Sequence, residues 1–320
     1  MKKKNIQSVA TIIILAIVLV VLSEFKLIST SKLLVLQYIG IYSIMVLGVN
    51  IVNGYMGVFS LAHAGFMAVG AYGAALCSKY LLPSVYTFPL TILVGGIAAM
   101  CIGLLVAIPS FKSKGDYLAI ITLGFTLMLQ SILQNAEIVG ASRGMNNIAK
   151  YTNIYWVFGS LLVAIIITRR FINSKYGRSL KAIREDQVAT QLVSVNVRRA
   201  KTVAFALSAF LIGIAGALLC HLLGYTSPSS YGYTNVVDGL VMVYIGGVGS
   251  ITGSITGAVI WQILVQMLKD LGTWRWVVGG ALLCIVMIFL PKGIFGYKEL
   301  GDAVKDIQQK RNEKTKKEAK

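Results

Sequence analysis

Long apolar runs are the feature that most restricts what this chain can fold into. A run of about 18–20 apolar residues crosses the hydrocarbon core of a bilayer as an α-helix, and such runs recur along the sequence. Only 13% of the residues are charged, whereas a soluble domain carries about 25%. The sequence therefore predicts an all-α polytopic membrane protein with about 8–10 transmembrane helices. The candidate spans are residues 8–23, 33–52, 65–82, 89–108, 118–136, 154–170, 202–224, 236–248, 253–270 and 275–291.

Two of the predicted membrane segments are interrupted by glycine. Residues 54–65 are too short and too rich in glycine for a clean span, and residues 236–248 end at a pair of glycines. Each is either a crossing or a re-entrant segment. Because a glycine-rich interruption follows a long span in both halves, the sequence indicates a possible inverted repeat that relates residues 33–136 to 202–291, as in many transport proteins.

The basic residues predict which ends of the helices face the cytoplasm. The net charge is +18, and 21 of the 30 Lys and Arg residues fall in three hydrophilic blocks at 2–4, 169–201 and 292–320. With ten crossings, 23 basic residues fall on one face and seven on the other. By the positive-inside rule, this bias predicts a multi-pass protein of the bacterial cytoplasmic membrane with both termini in the cytoplasm, and it requires no nucleic acid.

The hydrophilic blocks also divide the chain. Residues 1–295 are predicted to form one transmembrane domain with a long cytoplasmic loop at about 171–201. The N-terminal lysines and the apolar stretch after them resemble a signal peptide, but no small-residue cleavage site follows, so the sequence predicts an uncleaved first helix. Residues 296–320 alternate Lys and Glu and are predicted to be a basic cytoplasmic tail, partly disordered.

No motif for catalysis or for a metal site is present in the sequence. The histidines, His63 and His221, and the four scattered cysteines lack the spacing of a zinc site. The pattern G-x-x-x-x-G-K-[ST] is missing, so the chain has no P-loop for ATP. The acidic residues before the tail lie near predicted span ends, whereas a proton-coupled carrier places a carboxylate inside a span. These features predict a chain that is not an enzyme, holds no cofactor and takes its energy from another chain.

The long loop predicts a short helix at the cytoplasmic face. Residues 179–192 are good helix formers without Gly or Pro. Leu180, Ile183 and Leu192 would be available for docking. The alternative from the residues alone is a solvated loop that only sets the orientation.

Five stretches, taken in order, resemble conserved segments of the LivH/LivM family of branched-chain amino acid ABC permeases, most closely the LivM type. Each stretch alone is rich in glycine and weak, but five in order over roughly residues 33–295 are specific. The stretches are GYMGVFSLAHAGFMAVGAY at 54–72, GDYLAIITLGF at 115–125, YGRSLKAIRED with the following AFALSAFLIGIAGAL, IGGVGSITGSITGA at 245–258, and Pro291-Lys292-Gly293.

The chain departs from the family pattern at a few positions. Val58, Ala62 and Ser194 stand where the family commonly has Gln, Gly and Gly, and residues 139–144 read VGASRG in place of T-G-G-x-x-G. The last departure bears on the substrate, because related permeases carry urea, short amides, nucleosides or sugars.

The resemblance implies the membrane-spanning subunit of an ATP-driven importer for branched-chain amino acids. Such permeases pair with a LivH-type sister or a second copy, bind two cytoplasmic ATPase subunits that hold ATP and Mg, and receive substrate from an extracytoplasmic binding protein. ATP binding and hydrolysis rock the two permeases between outward-open and inward-open states. The resemblance assigns ATPase coupling to Gly177, Arg178, Ser179, Leu180, Ala182, Ile183, Arg184, Glu185, Asp186 and Ala189.

A second predicted set of residues belongs to the translocation path or to the broken helices. Its histidine either lines the path or bonds backbone carbonyls in a broken helix. Its glycines either contact substrate or allow close packing of backbones. The set is Gly57, Ser60, Leu61, His63, Gly65, Gly246, Gly247, Gly249 and Gly253.

Three other functions stay open on the sequence. The first is import of urea or an amide by the same machinery. The second is an ion-coupled secondary carrier that acts alone, and the third is a nonenzymatic membrane scaffold whose basic loops recruit cytoplasmic partners.

Overall fold

The computed structural model describes residues 30–81, 83–111, 117–269, 272, 274–289 and 293–294. These residues form eleven α-helices and no β-strand apart from one isolated bridge. The predicted span 8–23, the Lys112–Lys114 loop and the tail 296–320 lie outside the described residues. The helices are α1 Thr30–Asn50, α2 His63–Leu76, α3 Phe88–Ser110, α4 Tyr117–Asn135, α5 Ile154–Asn173, α6 Lys175–Glu185, α7 Gln187–Leu192, α8 Val197–Leu223, α9 Tyr233–Gly246, α10 Ile251–Met267 and α11 Trp274–Phe289.

Apolar helices of membrane-spanning length confirm the prediction of an all-α polytopic membrane protein. π-Helical turns extend α1 and α2, at Ile51–Tyr55 and Cys77–Leu81. Each predicted span from 33–52 onward overlaps one helix. Within the described part of the chain, five segments are long and apolar enough to cross a bilayer, namely Ser31–Tyr55, Val85–Ser110, Tyr117–Asn135, Ile154–Asn173 and Val197–Leu223.

Polar side chains in the loops set where several helices begin. Ser174 accepts a hydrogen bond from the amide of Gly177 at the start of α6, and Asp186 accepts from Val188 and Ala189 at the start of α7. Asn196 does the same for α8 and Ser250 for α10. These caps satisfy amides that have no partner inside the helix, so the short polar loops fix the helix boundaries.

Contacts between loops define two ends of the molecule. At the α6 end, the Arg184 guanidinium donates to the Gly54 carbonyl over 2.9 Å, and the Ile294 amide donates to the Ile245 carbonyl over 3.0 Å. At the Thr226 end, the backbones of Met145 and Thr226 exchange two hydrogen bonds of 2.9 Å. Each of these contacts therefore joins segments that the charge pattern assigned to the same membrane face.

The central helix is α8, which packs against α1, α2 and α3 through small residues. A Cβ added at Gly216 would overlap the Met67 carbonyl oxygen, and one added at Gly70 would overlap the Gly213 backbone. Such close approach of helix backbones is the usual way that membrane helices associate. The glycines of α2 and α8 thus build the core around which the other helices are arranged.

Candidate functional site

The chain between α1 and α2 is a broken helix inside the membrane domain. After the π-helical turn, residues 56–62 are not helical, and Gly57 adopts a φ of +68°. The Asn53 side chain bonds both backbone groups of Ser60, over 3.1 and 3.3 Å. Thr122 and Thr126 of α4 bond the amide and the carbonyl of Leu61, each over 3.0 Å. Side chains therefore replace the helical hydrogen bonds that a membrane segment otherwise needs.

His63 opens α2 and lies deep in the protein, with 3% of its surface exposed. Its Nε2 is 3.0 Å from the Val236 carbonyl oxygen of α9. Gly239 permits this approach, because a Cβ there would overlap the imidazole. A small cavity of about 10 Å³ lies beside it, lined also by Asn53, Ser60 and Ser208. A cavity of that size holds about one water molecule, so it is too small for an amino acid in this conformation.

A polar cluster next to His63 involves residues that the sequence analysis did not single out. Tyr42 of α1 lies beside Asn235 and Asp238 of α9. The sequence placed Asp238 near the end of a span, but α9 begins at Tyr233, so this carboxylate lies in the second turn and is partly buried. A carboxylate inside a membrane helix is costly and marks a candidate functional position.

The second broken helix lies between α9 and α10. Gly247 and Gly249 adopt φ values of +127° and +87°, which side chains rarely tolerate. A Cβ at Gly246 would overlap the Gly253 carbonyl oxygen. Gly246 and Gly253 therefore allow close backbone packing, whereas Gly247 and Gly249 allow the turn itself, and Gly65 lies against Thr126 of α4.

Asn50 joins the two broken helices, although the sequence analysis did not select it. Its Nδ2 donates to the Ser250 carbonyl over 2.9 Å and to the Ser254 hydroxyl over 2.6 Å, and its Oδ1 accepts from the Gly249 amide over 2.8 Å. The side chain is buried. One break follows α1 and the other follows α9, and these two helices run in the same direction. Both breaks therefore lie at the α6 end. The two breaks are therefore not inverted counterparts of each other, and the inverted repeat stays a prediction.

Replacing Asn50 by leucine is expected to destabilise the protein by about 2 kcal/mol, because it leaves the buried Gly249 amide without its acceptor and removes the Asn50 bonds to Ser250 and Ser254. The check is the temperature at which the detergent-purified protein loses its monodisperse elution peak. The matched control is Asn135→Leu at the exposed end of α4, for which no loss is expected. Equal stability of the two variants would show that Asn50 does not hold the breaks together.

The long loop folds into α6 and α7 at the end that both breaks share. Leu180 and Ile183 are 0% and 5% exposed, so they hold α6 against the membrane domain. Gly177 lies so close to the Ile172 backbone that a Cβ would overlap it. Arg184 reaches the Gly54 carbonyl, and its side chain also covers Gly57. The loop is therefore fixed to the first broken helix.

The structure differs from the predicted single coupling helix in two respects. Asp186 is extended and ends α6, so Ala189 belongs to α7. Two of the three apolar residues expected to be available for docking, Leu180 and Ile183, are buried instead. The remaining predicted coupling residues lie at the surface or partly so, namely Arg178, Ser179, Ala182, Glu185, Asp186 and Ala189.

Exposed apolar side chains on and after α7 form what we call the α7 patch, Val188, Leu192 and Val193. They are 67%, 82% and 71% exposed. The membrane does not account for them, because they follow the charged helix α6 and precede the basic start of α8. Exposed apolar clusters with polar surroundings mark contact sites for partners. The sequence analysis had named only Leu192 of this patch.

Comparison with known sequences matches this chain to one family of transport proteins. The profile of the family described as branched-chain amino acid transport system / permease component matches residues 31–291. The high-affinity branched-chain amino acid transport system permease protein LivM of Escherichia coli strain K12 is 29% identical over 289 residues, covering 79% of this chain and 67% of that protein. The corresponding LivH of Salmonella typhimurium is 25% identical over 287 residues, covering 81% and 92%. A probable LivM of Methanocaldococcus jannaschii is 22% identical over 326 residues, covering 83% and 94%.

Proposed function

Because this chain belongs to the branched-chain amino acid transport permease family, we propose that it forms the translocation path of an ATP-binding cassette importer for branched-chain amino acids. The observation that carries the proposal is the attachment of α6 to the first broken helix through Arg184 and Gly54. A movement imposed on α6 from the cytoplasm would pass directly to a break in a membrane helix. Such a contact is what an importer driven by a separate ATPase requires.

The proposed partners follow from this arrangement. A sister permease of the LivH type, or a second copy, completes the membrane unit. Two ATPase subunits that hold ATP and Mg bind the α6–α7 region from the cytoplasm, while this chain itself holds no cofactor. A binding protein delivers substrate at the Thr226 end. In this orientation both termini lie in the cytoplasm and the protein resides in the bacterial cytoplasmic membrane, as the basic α6 end favours.

The two broken helices give the path its moving part. In the observed conformation Asn50 joins them, and the cavity at His63 holds no more than about one water molecule. Movement of α6 would pull on Gly54 and separate the breaks. Irregular backbone at membrane depth is tolerated where protein or a water-filled path surrounds it, so the same segments can line the open path.

An ion-coupled carrier is a second candidate. Asp238 favours it, because carriers of that class use carboxylates inside membrane helices for coupling. The two mechanisms differ in whether the chain transports without an ATPase.

The α7 patch provides the test of the proposed ATPase contact. In the variant Leu192→Glu/Val193→Glu, recovery of the ATPase subunits with the tagged chain is expected to fall about 30-fold, since loss of an interface hot spot costs about 2 kcal/mol or more. The matched control is Ile138→Glu, a 79% exposed residue in a loop at the Thr226 end, which should retain the ATPases. Full recovery with the α7 variant would contradict the assignment.

A further inference from the structure

The membrane-facing surface contains an open apolar groove between α3, α5 and α8. It has a volume of about 530 Å³. Gly159 of α5 lies on its wall, and among the described residues a Cβ placed there would meet no atom within 4 Å. Within that part of the chain, the groove is therefore a gap between the helices rather than a tight contact between them. Other wall residues are Ile92, Leu93, Trp156, Val163, Ile167 and Leu211.

A second cavity of about 430 Å³ lies at the α6 end of α5, and two arginines are among the residues that line it. It is lined by Ile166, Arg169, Arg170, Asn173 and Ser174. Two guanidinium groups give it a fixed positive charge and a set of N–H donors suited to phosphate. Carboxylates of the described residues occur only at Glu137, Glu185, Asp186 and Asp238, and none of these lines the cavity.

The groove and the cavity both border α5, and one stripe of that helix runs from the groove to the cavity. Trp156, Gly159, Val163, Ile167 and Arg170 follow one another at spacings of three and four residues, which places them on a single helical stripe. At 1.5 Å per residue, Gly159 lies about 17 Å from Arg170 along the helix. That distance is close to half the thickness of the hydrocarbon core, which is about 30 Å. An acyl chain that starts at the arginines would end near Gly159.

We propose that this composite site binds one anionic glycerophospholipid. Its phosphate lies against Arg169 and Arg170, and one acyl chain fills the groove along α5. The basic charge selects an anionic over a zwitterionic headgroup, as basic pockets at the cytoplasmic surface commonly do. The choice of the cytoplasmic leaflet rests on the proposed orientation, while the binding itself does not depend on what the permease transports.

The first test compares arginine pairs at the same end of the molecule. The purified complex is mixed with phosphatidylglycerol or phosphatidylcholine, and bound lipid is counted by native mass spectrometry. Arg169→Gln/Arg170→Gln is expected to reduce retained phosphatidylglycerol about tenfold, which corresponds to about 1.4 kcal/mol, without affecting phosphatidylcholine. The matched control, Arg198→Gln/Arg199→Gln, removes two exposed charges at the start of α8 and should retain the wild-type amount.

The second test leaves the charge unchanged. Gly159→Phe fills the groove and should also displace phosphatidylglycerol, because its ring occupies the space of the acyl chain. Wild-type retention by the Arg169→Gln/Arg170→Gln variant, or an equal loss in the control pair, would overturn the proposal. It would also be overturned if the wild type retained no lipid and Gly159→Phe separated the two permease subunits, since the groove would then be a protein interface.

Discussion

Replacing Arg184 by glutamate is expected to uncouple ATP hydrolysis from transport while the membrane helices stay folded. The wild-type guanidinium donates to the Gly54 carbonyl over 2.9 Å. A carboxylate at this position would repel that oxygen and free α6 from the first broken helix. A hydrogen bond from a charged group contributes up to about 3 kcal/mol, so transport per ATP hydrolysed should fall by about a hundredfold.

Substrate uptake and ATP hydrolysis are measured on the same proteoliposomes, and their ratio is compared with that of the wild type. Arg178→Glu, an exposed position on the same helix, is the matched control and should reduce coupling little. The charge-swapped variant Arg184→Glu/Glu185→Arg should fail like the single variant, because position 185 is exposed and does not reach Gly54. Wild-type coupling in either Arg184→Glu variant would remove the basis for assigning coupling to α6.

Replacing Gly216 by valine is expected to prevent the protein from folding stably. A side chain there would overlap the Met67 carbonyl oxygen and lie 3.0 Å or closer to the Ala71 amide nitrogen. Both obstacles are backbone atoms of α2, so α2 and α8 would have to separate. Overpacking of a core costs about 1–3 kcal/mol where side chains can move, and a rigid backbone contact exceeds that range.

The yield of monodisperse protein after detergent extraction measures this effect. The control is Gly124→Val in α4, where an added Cβ has no neighbour within 4 Å among the described residues. We expect wild-type yield for that control and little or no monodisperse Gly216→Val protein. Similar yields would mean that the close packing of α2 and α8 does not support the fold.

Most of the helical architecture could be predicted from the sequence, because apolar length is a local property. The apolar runs that form α1, α3, α4, α5 and α8 are each long enough to cross a bilayer. The glycine interruptions also marked the two breaks. Asp186 is a typical helix-capping residue. The helix preference of its neighbours nevertheless favoured one continuous helix in the sequence analysis.

The contacts that connect the candidate site could not be predicted, because they join distant parts of the chain. Asn50 bonds residues about 200 positions later, and a single Asn in an apolar run does not identify its partner. Leu180 and Ile183 were interpreted as docking residues because an amphipathic helix does not show which surface its apolar face covers. Asp238 could be placed inside α9 only once the first residue of that helix, Tyr233, was known.

The most direct test of the central claim is leucine uptake by proteoliposomes that contain this chain, a sister permease, the two ATPases and the external binding protein. The account predicts uptake that requires ATP on the side of the membrane where α6 and the ATPases lie. Uptake should stop when either the ATPases or the binding protein is omitted. Uptake by this chain alone under an ion gradient would contradict the account and establish the carrier mechanism. Transport of urea or a short amide in place of leucine would retain the ATP-driven mechanism and contradict the proposed substrate.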